Sequence, residues 1–311
     1  MTYKVAVYHL SVPNKKNLEK TQMLEYFAQG VRQAGDHVFD VHTHLIQPAH
    51  VAVIQGWIAQ TPDRPHLKLR KQVIDNQIQR GHKVLTADSN LFLYANTANP
   101  LHYLRYSFNG VFANTGIYCD ATVDPGRWQT IRQDLNLAVK DYRSRGDHIL
   151  ICLQRNGGWS MGSESVVDWT HRVIHQIRQY TDRPILLRPH PGDKKSHTYL
   201  QPLQAHLPAW RATVSANTSL LHDLQGCWAV VNHNSSPAVA AAIEGYPVFV
   251  TDLARSQCGE IANTDLAQIE SPVLPARDQW LERLAMSHWK FDELKSGQAW
   301  AHLRQYVGGI P

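Results

Sequence analysis

No stretch of this chain stays apolar for the roughly 18 residues that a membrane-spanning helix requires, and no Cys-x-x-Cys pair occurs anywhere in it. Its four cysteines, Cys119, Cys152, Cys227 and Cys258, are scattered, which excludes a spaced zinc site and a disulfide framework and fits reduced thiols in a cytoplasmic protein. Gly-x-Gly-x-x-Gly is missing, so the dinucleotide fingerprint is absent. His42, His44 and His50 have no His-Glu-x-x-His spacing, and no metal site is expected from them. No internal repeat and no low-complexity linker interrupt the sequence. Charged residues make up 18% and hydrophobic residues 43%, a globular balance without the signature of disorder.

At 311 residues the chain exceeds the size at which one core stops growing, so two domains are expected. The formal charge of +5, with 18 histidines in reserve, leans towards a polyanionic partner or a phosphorylated substrate. The opening MTYKVAVYHLSVPNKK has too short an apolar stretch for a signal peptide and reads as a first strand.

Strand and helix signals alternate along the chain, which argues for an α/β architecture with parallel sheets. KVAVYHL, HVFDVH and KVLTAD read as strands of a first half, with helices over 18–34 and 66–80 and another at about 128–145. The stretch 89–128 between them is irregular. After RSRGD the pattern restarts: strands HILICLQ, RPILLRP, GCWAVVNH and PVFVT, with helices over 166–180 and within the Ala-rich segment after Ser236. Two helical segments, 277–289 and 296–306, follow. The expected division is an N-terminal domain over 1–146, a C-terminal domain over 147–276, and helices over 277–311 that pack back towards the first domain. A ligand is expected in a cleft between two such halves.

Three segments follow strands in the second half. In NHNSSPAVAAAIEGYPVFV, Ser235 or Ser236 suits an N-cap and Pro237 the first helical position. The same helix start after a strand equally suits a phosphate, through free backbone N–H groups and the positive dipole end. In RPHPGDKK, Pro189 and Pro191 stiffen the chain around His190, beside Arg188, Lys194 and Lys195. That arrangement is either an anion contact or a stiff turn with a basic edge. In LQRNGGWSMGS, Arg155 stands at a strand end, and the glycines permit close backbone approach or simply make the turn.

The first half offers Asp88 at the end of KVLTAD, either a general base towards an acceptor hydroxyl or a residue bonding its own turn. NPLHYLRYSFNGVF interleaves Arg105 with Tyr103, Tyr106 and Phe108, which suits bases or sugars and also suits an aromatic core segment. Lys15, Lys16 and Lys20, and Lys68, Arg70 and Lys71, either track a phosphate backbone or form solvated faces.

Taken together, LQRN, RPHP and HNSSPAVAAAIEGYPVF resemble the C-terminal, donor-binding domain of GT-B glycosyltransferases, over about residues 148 to 272. RPHP with the Ser-Ser helix and Gly-x-Pro-Val is similar to the capsule-polysaccharide transferase branch. The wording CLQRNGGWSM, RPHPGD and TDLARSQCGEIANTDLAQIESP resembles glycosyltransferases of bacteriophages that sugar-coat hydroxymethylated pyrimidines, 5-hydroxymethylcytosine among them, in viral DNA.

The resemblance implies two Rossmann-like domains and direct transfer from a nucleotide sugar, UDP-linked, to an acceptor hydroxyl. Ser235 and Ser236 would bind the donor diphosphate, and His190 and Arg155 phosphate or sugar, with Arg188 and Glu244 completing the donor contacts. The family's ribose-binding Glu falls at Ala240 here, and Glu244 stands one turn later. Asp88 is the expected base, with His190 as the second catalytic group. Lys15, Lys16, Arg105 and Tyr106 would face double-stranded DNA. No cofactor or metal is expected, nor a membrane partner, and the protein is taken as a monomer, in the host cytoplasm if phage-encoded. Three other functions fit less of the wording: a capsule or lipopolysaccharide transferase, a sugar-nucleotide epimerase, and a non-catalytic DNA-binding protein.

Overall fold

The valine-rich runs of the sequence become the central strands of two separate sheets in the computed structural model, which describes residues 2–12, 18–58, 64–92, 94, 99–155, 159–216 and 219–309. The first sheet contains β1 (Lys4–Tyr8), β2 (His37–Val41), β3 (Val51–Gln55), β4 (Lys83–Asp88) and β5 (Leu104–Phe108). The second contains β6 (His148–Cys152), β7 (Ile185–Arg188), β8 (Ala212–Val214), β9 (Cys227–Asn232) and β10 (Val248–Val250). A short β11 (His288–Trp289) returns to the first.

The orders are β11-β5-β4-β3-β1-β2 and β10-β9-β6-β7-β8. All described pairings in the second sheet are parallel. The first is mixed, because β5 runs antiparallel to both β4 and β11. The expected α/β architecture with parallel sheets is present, with antiparallel pairing confined to β5 and its two neighbours among the described strands. No described helix lies between β4 and β5, and without a crossover a strand returns antiparallel to its neighbour. VAVIQ, passed over in the sequence, is β3, buried at four of its five positions.

Helices cover both faces of the first sheet. On one side α1 (Leu18–Gln33) packs with α9 (Phe291–Lys295) and α10 (Gln298–Leu303), burying Phe27, Trp300 and Leu303 against Val5, Val7 and Val53. On the other, α2 (Pro65–Gln79) sets Leu69, Val73 and Ile74 against Ala6, Ala52 and Ile54. Side chains of this size each contribute about 1.5–3 kcal/mol when fully buried. In the second sheet, α4 (Val166–Ile177) and α5 (His197–Gln204) supply Trp169, Val173, Ile174 and Tyr199 to the core. The remaining helices are α3 (Pro125–Asp134), α6 (Leu220–Leu224), α7 (Pro237–Ile243) and α8 (Asp278–Ala285). None of the described helices is long and apolar enough to cross a membrane.

The chain divides into two compact units: Met1–Asn90, Ala98–Asp134 and Leu281–Pro311 form the first, and Leu91–Thr97 and Leu135–Trp280 the second. The sequence placed the divisions after residues 146 and 276; they fall after Asp134 and Trp280. The helix expected to run to about residue 145 stops at Asp134, and the chain beyond it belongs to the second unit as a strap over the end of α7. Lys140 N donates to Ile243 O at 2.8 Å and Arg143 N to Gly245 O at 2.7 Å. Tyr142 Oη donates to Pro275 O at 3.0 Å. These partners outside the segment replace the helix's own ladder. Gly245 takes φ of +84° and lies against the Asp141 carbonyl so closely that a side chain there has no room.

Candidate functional site

Because the second sheet is parallel, its strands deliver their following loops to one carboxyl edge: Gln154 and Arg155 after β6, His190 after β7, His233 to Ser236 after β9, and Thr251 and Asp252 after β10. Ligands of open α/β sheets sit outside that edge.

The helix after β9 departs from the expected capping. Ser236 already has helical angles (φ −62°, ψ −23°) and its side chain makes no cap bond. The turn is held by Asn232 instead, whose Nδ2 donates to the Ser235 carbonyl at 3.1 Å. Ser236 is exposed, and the Ser235 hydroxyl is buried with no hydrogen-bond partner among the described residues. Asn232 Oδ1 is in the same condition. A buried polar atom without a partner carries a desolvation cost of about 1–3 kcal/mol that a ligand or water would relieve. Ala238 to Ile243 are all buried, so the alanines set α7 close against β9 and β10.

Arg155 and His190 meet over Gly192. A Cβ at Gly192 would stand 2.5 Å from the outer guanidinium nitrogen of Arg155 and 3.2 Å from His190 Cε1. The Gly192 amide donates to His190 Nδ1 at 3.0 Å, a bond that needs the lone pair and leaves the proton of the neutral ring on Nε2. Burial, and then the charge of Arg155, push the His190 pKa below its ordinary 6.5. The pair therefore presents a guanidinium and a neutral N–H donor, both suited to phosphate oxygens.

Two expected donor contacts are engaged elsewhere. Arg188 is buried and ion-paired with Asp223, and it donates to the Ser219 carbonyl at 3.3 Å; Ser215 Oγ bonds the same carboxylate at 2.7 Å. It ties β7 to α6. Glu244, also buried, pairs with Lys140 and accepts from Tyr94 Oη at 3.2 Å. Its charge is met inside the second unit rather than held out for a ribose.

In the first unit, Asp88 and Arg105 are cross-strand partners, and Arg105 donates to Asp88 Oδ2 at 2.7 Å. The expected acceptor contacts need correcting here. Arg105 is only 5% exposed and Tyr106 is fully buried in the α1 core, so neither reaches a duplex. The alternation that points Arg105 to one face of β5 turns Tyr106 to the other. Lys15 and Lys16 lie outside the described residues.

Sequence reasoning passed over His9, at the carboxyl end of β1, which meets Asp40 of β2 through Nε2 at 3.0 Å. Its ring stacks on His42 with centroids 4.3 Å apart. Burial acts to raise the Asp40 pKa, but the His9 bond and the Arg32 charge outweigh it and hold the carboxyl below the usual range. A histidine at a strand end, with an acidic residue near the end of the neighbouring strand, was the available signal. Among the described residues no three His, Cys, Asp or Glu side chains are arranged to hold a metal ion.

No protein-family model matches the chain, and no curated protein sequence matches it. Solved structures do. KpsC beta Kdo 2,4 transferase of Thermosulfurimonas dismutans superposes with a TM-score of 0.52 at 12% identity, over 91% of this chain and 89% of that one. The beta Kdo 2,7 transferase of the same organism's KpsC gives a TM-score of 0.50 at 12% identity, over 98% and 100%. The fold is GT-B. The two sheets described above are its two Rossmann-like units, and the resemblance drawn from LQRN, RPHP and the Ser-Ser helix holds at the level of fold.

Proposed function

We propose that this protein is a glycosyltransferase whose second unit binds a nucleotide-sugar donor, UDP-linked. Its acceptor would be the hydroxyl of a hydroxymethylated pyrimidine in bacteriophage DNA. One observation carries the donor part: the Arg155–His190 pair and the unpartnered Ser235 hydroxyl stand at the carboxyl edge of one parallel sheet. The acceptor part is supported by the sequence wording CLQRNGGWSM and by the chain's positive charge.

In the proposed reaction the acceptor oxygen attacks the anomeric carbon and the bond from that carbon to the diphosphate breaks. The acceptor proton passes to a base of the first unit, Asp88 in our reading. Arg155 and the Nε2–H of His190 stabilise the negative charge that grows on the departing diphosphate, typically the largest single contribution to such a step. Those groups supply the neutralising charge, so turnover in the presence of EDTA is expected.

A second reading, transfer to a capsule saccharide, is favoured by the likeness to the two KpsC Kdo transferases and by the burial of Arg105 and Tyr106. Labelled UDP-sugars offered with hydroxymethylated DNA, unmodified DNA and capsule oligosaccharides separate the two. Label entering only hydroxymethylated DNA supports the first reading. Label entering only oligosaccharide rejects it in favour of the second.

A further inference from the structure

Asn234 is buried, and its carboxamide reaches three other chain segments. Its Oδ1 accepts from Gln154 Nε2 at 2.7 Å, while Nδ2 donates to the Ser160 carbonyl at 3.0 Å and to Asp252 Oδ2 at 2.9 Å. Gln154 Oε1 in turn accepts from Ser160 Oγ at 2.6 Å. Gln154 and Ser160 flank the loop that carries Arg155. One side chain therefore ties both ends of that loop to the residue next to Ser235 and to the end of β10.

Asp252 sets the direction of every bond in this ring. A carboxylate offers only acceptors, so the amide nitrogen of Asn234 must face it. The amide oxygen is then left for Gln154, which must present Nε2. Its own oxygen is left for the Ser160 hydroxyl. Asp252 is itself fixed by the Arg255 backbone amide at 3.3 Å, with Arg255 Nε at 3.6 Å and His233 Nε2 at 3.7 Å. His233 is braced by Thr251 Oγ1 at 2.8 Å, which also accepts from Trp169 Nε1 at 2.8 Å. Gln154 and Asn234 are buried, and Ser160 and Asp252 partly so. In a connected network of this kind, a single reversed polarity disturbs the neighbouring bonds as well.

We propose that Asn234, oriented by Asp252, is a positioning residue that fixes Arg155 relative to Ser235. Its consequence for ligand affinity rests on the donor reading above; its consequence for the Arg155 loop does not.

Asn234→Asp sets a second carboxylate against Asp252 and removes the donor to Ser160. Relative to the wild type, the variant should raise the dissociation constant for UDP about tenfold or more. Tryptic cleavage after Arg155 should be faster. In the swap Asn234→Asp with Asp252→Asn, the amide now at 252 donates to the carboxylate at 234. The Ser160 carbonyl still lacks its donor in the swap, so both readouts should return part of the way to wild type, by relief of the carboxylate pair.

A folded Asn234→Asp variant with wild-type cleavage and UDP affinity would overturn the inference, and so would a swap as defective as the single change. Should the single variant not fold, the swap decides alone: cleavage close to the wild-type rate supports the inference, and fast cleavage or failure to fold overturns it. Wild-type protein without UDP affinity would reject the donor reading, while cleavage after Arg155 still judges the role of Asn234.

Discussion

Arg304 and Asp36, far apart in the chain, meet at 2.6 Å between Nε and Oδ2, and Trp300 Nε1 reaches the same oxygen at 2.7 Å. The other carboxylate oxygen accepts from the Tyr3 backbone amide at 2.8 Å. One fully buried carboxylate thus fastens the last helical turns to the start of β1 and β2. Asp36→Ala leaves the buried indole without an acceptor, a loss of about 1–3 kcal/mol for that group alone. Urea denaturation should show the first unit destabilised by at least this amount. Burial acts to raise the Asp36 pKa, but the bonds from Arg304, Tyr3 and Trp300 outweigh it and hold it below the ordinary value. A lowered carboxyl pKa contributes stability in full above the unfolded value of about 3.9 and loses it as pH falls through the folded value. The gap between wild type and Asp36→Asn should therefore be widest near neutrality and shrink below about pH 4. A gap that widened on acidification would contradict this assignment.

Gly192→Ala tests the Arg155–His190 pair with the least disturbance. The added Cβ meets the far end of a flexible guanidinium, which shifts at little cost to the fold. UDP affinity should fall about tenfold, comparable to the loss of one charge-assisted hydrogen bond, with the melting temperature almost unchanged. Isothermal titration beside a thermal melt distinguishes the two effects. Unaltered affinity would mean that Arg155 does not touch the ligand.

Strands with unbroken β-branched runs were legible, and so were the long helices, because their signals are local. VAVIQ was missed because the loop before it gives no helical crossover to mark a new parallel strand. The false extension of α3 has a similar cause: nothing within 135–145 reveals that Lys140 and Arg143 find their partners at the end of α7 and just beyond it. The motifs at strand ends were legible as a group, since a parallel sheet gathers such ends by topology. Which of their charges remain available was not. Arg188 and Glu244 look like ligand groups until Asp223, Lys140 and Tyr94 are seen to hold them. Tyr106 looked like a platform for bases because an aromatic segment reads alike whether it faces a core or a ligand.

If Asp88 is the base, Asp88→Asn should lower turnover by about a hundredfold or more while leaving UDP affinity within about twofold. The loss of charge also leaves buried Arg105 without its carboxylate, so Arg105→Gln in the same background serves as the control for folding. His9→Gln is the matching change at the other carboxyl-edge group, whose Nε2 is held by Asp40. Steady-state rates for the two single variants assign the base: the large loss should fall on Asp88→Asn. Full turnover in Asp88→Asn with a collapse in His9→Gln would transfer the role to the histidine.

His190 offers a test through pH. Its pKa lies below 6.5, chiefly because the ring is partly buried and then because Arg155 stands beside it. Gly192 N occupies Nδ1, so a phosphate oxygen would meet the Nε2–H of a neutral ring. The ratio of UDP affinities between wild type and His190→Gln should consequently be flat from about pH 7 to 8.5, where the ring keeps one protonation state. Taking the ratio removes the titration of the UDP phosphate itself, which is common to both proteins. Below about pH 6.5 the ratio should begin to move, as protonation of Nδ1 displaces the Gly192 amide and adds a positive charge. Calorimetric titrations at half-unit intervals resolve the two regimes. An inflection above pH 7 would instead mean that the working form is the imidazolium, with a raised pKa and a different partner at Nδ1.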